Sequence, residues 1–352
     1  MVKRVSQIDG VKLYDIIKSR ANVLGAIKDA CRDHAKDPAV INIKENPDKY
    51  ADVVQEILEA QNYRPSGFKQ RMIFERGKWR ELCYTRTFPD RIIQHCVLRV
   101  VAPILLGTCI RDSYAAIKGK GLHAGSVQIR KDLKSNPDHT RYCLKLDVRK
   151  YFPSINREFL FRMVKRKIKC GRTLSLLETI IFECPGDSGL PIGMYPSQIF
   201  SAFYLCEFDR YCKQTLGLRF YYRYMDDIVV LGSSKSFLRN AQNYMRRMLK
   251  TFGLTVKSNW QIFPVGIRGL DFMGFVFRHT HTRIRKRNKI KYIRVCNHIV
   301  RNLKHKLGLT AHMFASKISY EGMLTWCDSR NLLKTHGSKV YIALEFGPEA
   351  LK

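Results

Sequence analysis

Apolar residues recur at helical spacing through VKLYDIIKSRANVLGAIKDACRDH, and this pattern predicts helices over residues 11–60. The period then changes. FKQRMIFERGKWRELCYTRT alternates apolar and basic positions around Gly77 and reads as a basic β-hairpin. PDRIIQHCVLRVVAPILL predicts a largely buried helix with Pro89 and Asp90 at its start. YCLKLDVRKYF reads as a strand and a turn, and REFLFRMVKRKI as a basic amphipathic helix. SGLPIGMYPSQIFSAFYLCEFDRYCKQTL reads as a Gly/Pro loop that leads into a long helix. LRFYYRYMDDIVVLG is aromatic and β-branched, which predicts strand, turn and strand. SFLRNAQNYMRRMLKTFG predicts a helix, and GLDFMGFVF a single strand. From about Arg278 the chain is strongly basic and mostly helical. Strands alternating with helices around the Asp226 hairpin imply an α+β fold, with helices on one face of a sheet and a site on the other.

Composition narrows the function. The chain has 352 residues, of which 45% are hydrophobic, enough for two or three domains with sizeable cores. Lys and Arg number 63 against 30 Asp and Glu, a formal net charge of +33. That excess calls for a polyanionic partner. Nucleic acid fits better than a membrane surface, because no long basic amphipathic helix stands out. The longest apolar run, VVAPILLGTCI, is about half of a membrane span, and MVKRVSQIDG lacks the apolar core of a signal peptide. The 11 cysteines include no C-x-x-C pair, so they read as buried free thiols of a reducing cytoplasm rather than a zinc or redox site.

Two carboxylates inside YYRYMDDIVV, Asp226 and Asp227, are the first chemical signal. Alone, such a pair is an ordinary hairpin turn. A third acid, Asp147, closes the apolar stretch CLKLD. Carboxylates at neighbouring strand ends can hold two divalent ions about 4 Å apart, the arrangement that serves phosphoryl transfer. Oxygen ligands favour Mg²⁺. Successive strand residues point to opposite faces, so Asp226 and Asp227 cannot both face the same ion unless the turn redirects one. GLPIGMYPSQ supplies a shaped backbone able to approach a flat ligand; its plainer reading is the start of a helix capped by Ser197. Lys69, Arg71, Arg76, Lys78 and Arg80 on the predicted hairpin could clamp a triphosphate, where the plainer reading is a solvated basic face.

In order, KWREL with FPDRIIQH, KLDVRKYFPSI, GLPIGMYPSQ, YRYMDDIVVLGSS and GLDFMGFVF resemble the sequence blocks of reverse transcriptases over residues 64–280, and SYEGMLTWCDSRNLL looks like the thumb end of bacterial members. The resemblance implies a right-hand polymerase with fingers, palm and thumb, an antiparallel palm sheet backed by helices, and a helical thumb. The implied divisions are 1–135 for the N-terminal helices and fingers, 136–277 for the palm and 278–352 for the thumb. It implies an RNA-directed DNA polymerase using two Mg²⁺ ions, with Mn²⁺ as a substitute. Asp147, Asp226 and Asp227 match the catalytic carboxylates, and Val148 the position that ligates metal through its carbonyl. Arg80 matches the arginine on the incoming triphosphate, with Lys78 and Arg76 as helpers. Phe152 matches the bulky gate against a ribose 2′-OH. Ile192, Gly193 and Gln198 fall in the loop beside the nascent pair, and Tyr224 and Met225 at the primer end. Arg285, Lys286 and Arg287, within RHTHTRIRKRNKIKYIR, would hold the template–product duplex.

Two positions depart from the common pattern. Ile192 stands where the form Leu-Pro-Gln-Gly carries Gln, and the loop ends in Ser197-Gln198. Both features resemble the enzymes of diversity-generating retroelements, which copy a template RNA with frequent errors at adenines. A reverse transcriptase of an antiphage defence system or retron-like element is the alternative, and a non-catalytic basic RNA-binding protein a remote one. Trp260 stands where the family often has a lysine that protonates pyrophosphate, and Lys257 lies three residues earlier, so no general acid is assigned. Implied partners are an RNA template, the cDNA/RNA hybrid, dNTPs, a structured non-coding RNA and a small basic accessory protein, with no membrane. The implied setting is the cytoplasm of a bacterium, with the gene bacterial or phage-borne.

Overall fold

The computed structural model describes residues 4–32, 37–75 and 77–351. The chain passes repeatedly between two compact units. One comprises Met1–Ala116, Asp147–Leu218 and Asn243–Ser258; the other comprises Ile117–Leu146, Arg219–Gln242 and Asn259–Lys352.

The strands, in chain order, are β1 (Gln7–Ile8), β2 (Val11–Lys12), β3 (Phe68–Glu75), β4 (Lys78–Thr85), β5 (Tyr142–Asp147), β6 (Phe220–Tyr224), β7 (Asp227–Gly232), β8 (Gln261–Pro264), β9 (Leu270–Phe272), β10 (Phe275–Phe277) and β11 (Thr282–Ile284). All the sheets pair antiparallel where the register is defined. The mixed helix-and-sheet architecture anticipated by the sequence is therefore present.

In the first unit, helices Arg20–Ala30 and Ile92–Leu106 pack together. The second of these is apolar nearly all round, and Ile92, Ile93, Val97, Val101 and Leu105 are fully buried. Asp90 does not cap it. Its carboxylate, also fully buried, accepts from Ser66 N at 3.1 and 3.2 Å, Ser66 Oγ at 2.6 Å and Tyr63 Oη at 3.1 Å, and so fixes the segment that feeds β3. β3 and β4 form the expected hairpin, with Gly77 in the left-handed region. Its register sorts the side chains by face: Met72, Phe74, Trp79 and Cys83 on one, Lys69, Arg71, Lys78 and Arg80 on the other. Cys109 and Cys206 lie side by side, with Cα atoms 4.9 Å apart, and the other nine cysteines form no disulfide.

The second unit is built on a four-stranded sheet in the order β6-β7-β5-β8. Tyr221, Ile228, Val229, Val230 and Leu144 are fully buried in it. Helix Leu122–Ser135, not singled out by the sequence pattern, is tied to the sheet by Tyr222 Oη donating to Asp132 Oδ2 at 2.6 Å. GLDFMGFVF is not one strand. Met273 and Gly274 both adopt positive φ, +50° and +87°, and this tight turn folds the segment into the antiparallel pair β9 and β10, which β11 extends. The C-terminal helices, Lys286–Lys304, Ala311–Leu324 and Ser338–Glu345 among them, close on Tyr292, Cys296, Ile299, Leu324 and Val340.

Candidate active site

The β6–β7 hairpin makes its reversal with two residues. Tyr224 pairs with Asp227, leaving Met225 and Asp226 as the loop, and Met225 takes the left-handed conformation (φ +52°) that such a short turn demands. Asp226 therefore lies outside the strand alternation, and Asp227 is the first residue of β7. The turn redirects one acid relative to the other. Arg223, fully buried on an otherwise apolar strand, donates Nη1 to Met225 O at 3.1 Å and braces the loop from within. The Nζ of Lys145, on β5, lies 3.4 Å from Asp227 Oδ2 and also donates to Asp271 O at 2.6 Å.

Asp147 ends β5, the sheet neighbour of β7. From here the chain runs beside Thr255–Lys257: Lys257 N donates to Asp147 O at 2.8 Å and Arg149 N to Thr255 O at 2.7 Å, flanking the bridge Val148–Val256. In this pattern Val148 is a non-hydrogen-bonded pair member, so its own carbonyl is directed away from that ladder. Val148 is fully buried. Lys257 Nζ stands 2.6 Å from Asp147 Oδ1, an oxygen otherwise shielded from solvent and without a hydrogen bond of directional geometry. An ammonium group thus stands beside Asp147, from Lys257, and another beside Asp227, from Lys145. Carboxylate oxygens are the ligands a hard divalent ion takes, and such an ion would compete with the two ammonium groups. Among the described residues, no three His, Cys, Asp or Glu side chains are gathered into a ready metal cage.

The GLPIGMYPSQ loop is held by backbone. Cys83 N, on β4, donates to Ile192 O at 2.7 Å, and Leu190 N donates to Phe152 O at 2.9 Å. Gly193 (φ +106°) and Gly189 (φ +72°) are the two positions where no side chain fits. A Cβ on Gly193 would fall 2.7 Å from Cys83 O, and one on Gly189 2.4 Å from Pro153 Cα. The close approach inferred from these glycines is thus to the protein's own backbone. Ser197 is buried inside helix Tyr195–Tyr204, where Met194 occupies the cap position, so the capping role does not hold. Ile192 is half-buried and Gln198 exposed.

Phe152 lies in the short helix Tyr151–Ser154, half-buried, its ring edge-on to Tyr151 at 5.7 Å. Arg80 and Lys78 are exposed on the basic face of β4, with Arg80 Nε 3.5 Å from Glu75 Oε2. Arg76 lies outside the described residues. Lys286 and Arg287 are exposed at the start of helix Lys286–Lys304, whereas Arg285 is committed to Asp271, with Nε 2.6 Å from Oδ1. Arg223, Lys145 and Arg157 were not singled out by the sequence. A charge on an apolar strand was the available signal for the first two, and Arg157 gave none.

Comparison with known proteins defines the class. The family model described as reverse transcriptase (RNA-dependent DNA polymerase) matches residues 68–277, well over half of the chain. The chain belongs to this family. No curated protein matches it in sequence. Among solved structures it is similar in fold to apo telomerase from Candida tropicalis, with 13% identity, a TM-score of 0.51, and 82% of this chain and 58% of that one covered. Telomerase from the same organism, in complex with the TWJ fragment of telomeric RNA, is similar at 11% identity and a TM-score of 0.51, over 80% and 55% of the respective chains. The chain thus spans a little over half the length of these relatives.

Proposed function

We propose that this protein is an RNA-directed DNA polymerase that extends a primer with deoxynucleotides along an RNA template. The family match over residues 68–277 carries the reading. The placement of acids agrees with it: Asp147 closes β5, Asp227 opens the neighbouring β7, and Asp226 occupies the turn. Reverse transcriptase domains in general use divalent metals such as Mg²⁺. Asp147, Asp226, Asp227 and the Val148 carbonyl would hold two such ions, with water and substrate phosphates completing the shell. When bound, the metals lower the cost of the charge that develops on the attacking and leaving oxygens.

The chain's own residues do the rest. Arg80 and Lys78 pair with the triphosphate from the exposed face of the hairpin. Phe152 excludes a ribose 2′-OH by bulk. Tyr224 and Met225 meet the primer end. Lys286 and Arg287 contact the phosphates of the hybrid, whose A-like form is read by shape and backbone. Primer extension on RNA with Mg²⁺ tests the reading against Asp226→Ala. Extension by the wild type and its loss in the variant are expected, and equal activity in the two would overturn it.

The finer reading is an error-prone enzyme of a diversity-generating retroelement, working in the cytoplasm with a structured RNA and a small basic accessory protein. Ile192 supports it, because an aliphatic side chain offers no hydrogen bond beside the nascent pair. The neighbouring DNA tests it. A near-repeat pair differing mainly at adenines is expected; a structured non-coding RNA gene without such a pair would point instead to a defence enzyme.

A further inference from the structure

Arg157 is the first residue of helix Arg157–Lys165, and its guanidinium turns away from solvent into an irregular segment of the same unit. Nε donates to Gly189 O at 2.7 Å, Nη1 to Phe182 O at 3.2 Å and Nη2 to Pro185 O at 2.9 Å. One planar fork thus satisfies three carbonyls. The contact with Phe182 O caps helix Gly171–Phe182 at its last residue, where carbonyls lack helical partners and a cation is favoured. The other two hold the stretch that delivers Gly189.

Gly189 is the residue that touches the Phe152 turn. Its neighbour Leu190 donates to Phe152 O at 2.9 Å, and Gly189 packs so closely on Pro153 that a Cβ would overlap Pro153 Cα and O, at 2.4 and 2.5 Å. The turn is therefore gripped through backbone, and the position of that backbone is set by Arg157. A surface arginine would not be spent on three carbonyls; the cost of leaving them partly buried without donors explains the arrangement.

We propose that Arg157 is a positioning residue for the sugar gate: it fixes Gly189 and Leu190, which fix Phe152. The inference rests on the reading of Phe152 as the gate against ribonucleotides. Phe152 needs only a small shift to admit a 2′-OH, because steric exclusion is steep in distance.

The test is the ratio of kcat/KM for a ribonucleotide to that for the matching deoxynucleotide, since a ratio is unaffected by the fraction of folded enzyme. Four variants are compared with wild type: Phe152→Ala, Arg157→Lys, Arg157→Gln and Gly189→Ala. Phe152→Ala is expected to raise the ratio most. Arg157→Gln should raise it about tenfold, the scale on which sub-ångström misplacement acts. Arg157→Lys, with one ammonium for three carbonyls, should fall between wild type and Arg157→Gln. Gly189→Ala displaces the same turn from the other side and should move the ratio in the same direction, which keeps the test valid if Arg157→Gln does not fold. If Phe152→Ala relaxes the ratio and the other variants stay at the wild-type value, Arg157 is structural only and the inference falls while the gate stands. An unchanged ratio in Phe152→Ala removes the gate reading itself, and with it the inference.

Discussion

Ile192→Gln isolates one side chain in the loop beside the proposed nascent pair. The backbone there is pinned independently of the side chain: Ile192 O accepts from Cys83 N at 2.7 Å, and Gly193 follows in a conformation that packs on the Cys83 carbonyl. Ile192 is half-buried, so a glutamine of similar reach replaces it without opening a core cavity. The substitution should leave the loop in place and add one amide. A net hydrogen bond is worth about 1 kcal/mol. If the amide bonds a correct pair and not a mismatch, discrimination rises by that amount, about fivefold in rate ratio. The assay copies one RNA template with wild type and variant and sequences the cDNA deeply. Errors opposite template adenines should fall about fivefold in Ile192→Gln, with total extension little changed. Equal adenine error frequencies at equal extension would refute the argument that an amide at this position raises fidelity.

Other substitutions probe the scaffold and the acids. Asp90→Ala leaves Ser66 N, Ser66 Oγ and Tyr63 Oη without their buried acceptor and should lower stability by about 3 kcal/mol in urea unfolding followed by circular dichroism; a change below about 0.5 kcal/mol would contradict the anchoring role. Burial holds the His95 imidazole, stacked on Tyr195 at 4.4 Å, at about 4, below its ordinary 6.5. A depressed folded value means that its contribution is intact above pH 6.5 and lost as pH falls through about 4. The acid-side fall in melting temperature should therefore be shallower in His95→Phe, and parallel curves would dismiss the effect. Lys257→Met removes the ammonium beside Asp147, a pair about a third exposed and so worth at most about 1 kcal/mol. Mn²⁺ should bind the variant up to about fivefold more tightly by electron paramagnetic resonance titration, and weaker binding would show that Lys257 supports the ion rather than substituting for it.

Elements with a strong period were legible in the sequence. The β3–β4 hairpin, helix Ile92–Leu106 and the two-strand reading of YYRYMDDIVV follow from alternation, apolar density and a two-residue reversal. Helix Leu122–Ser135 was missed because Gly125, Ser126 and His123 dilute its propensity and only part of one face is buried. The turn at Met273 hid because methionine rarely adopts positive φ, and the neighbouring phenylalanines and Val276 read as one strand. At the site, the acids and the glycine loop could be read as letters. Their fastening could not, because the bonds at Ile192 and Phe152 run through backbone atoms that every residue carries.

The lysines were hidden for a different reason. In a chain with a net charge of +33, a functional ammonium looks like any other. Structure separates them by what they touch: Lys145 and Lys257 end on the acids that the proposed mechanism requires, while Arg157 and Arg223 end on backbone carbonyls. The first pair can yield to an incoming cation, since each is a partly exposed ion pair on a flexible stem. The second pair cannot be displaced without leaving carbonyls unpaired. Within the fold the basic residues therefore serve two ends: countercharge at the carboxylates, and braces under the loops that carry them and the proposed gate.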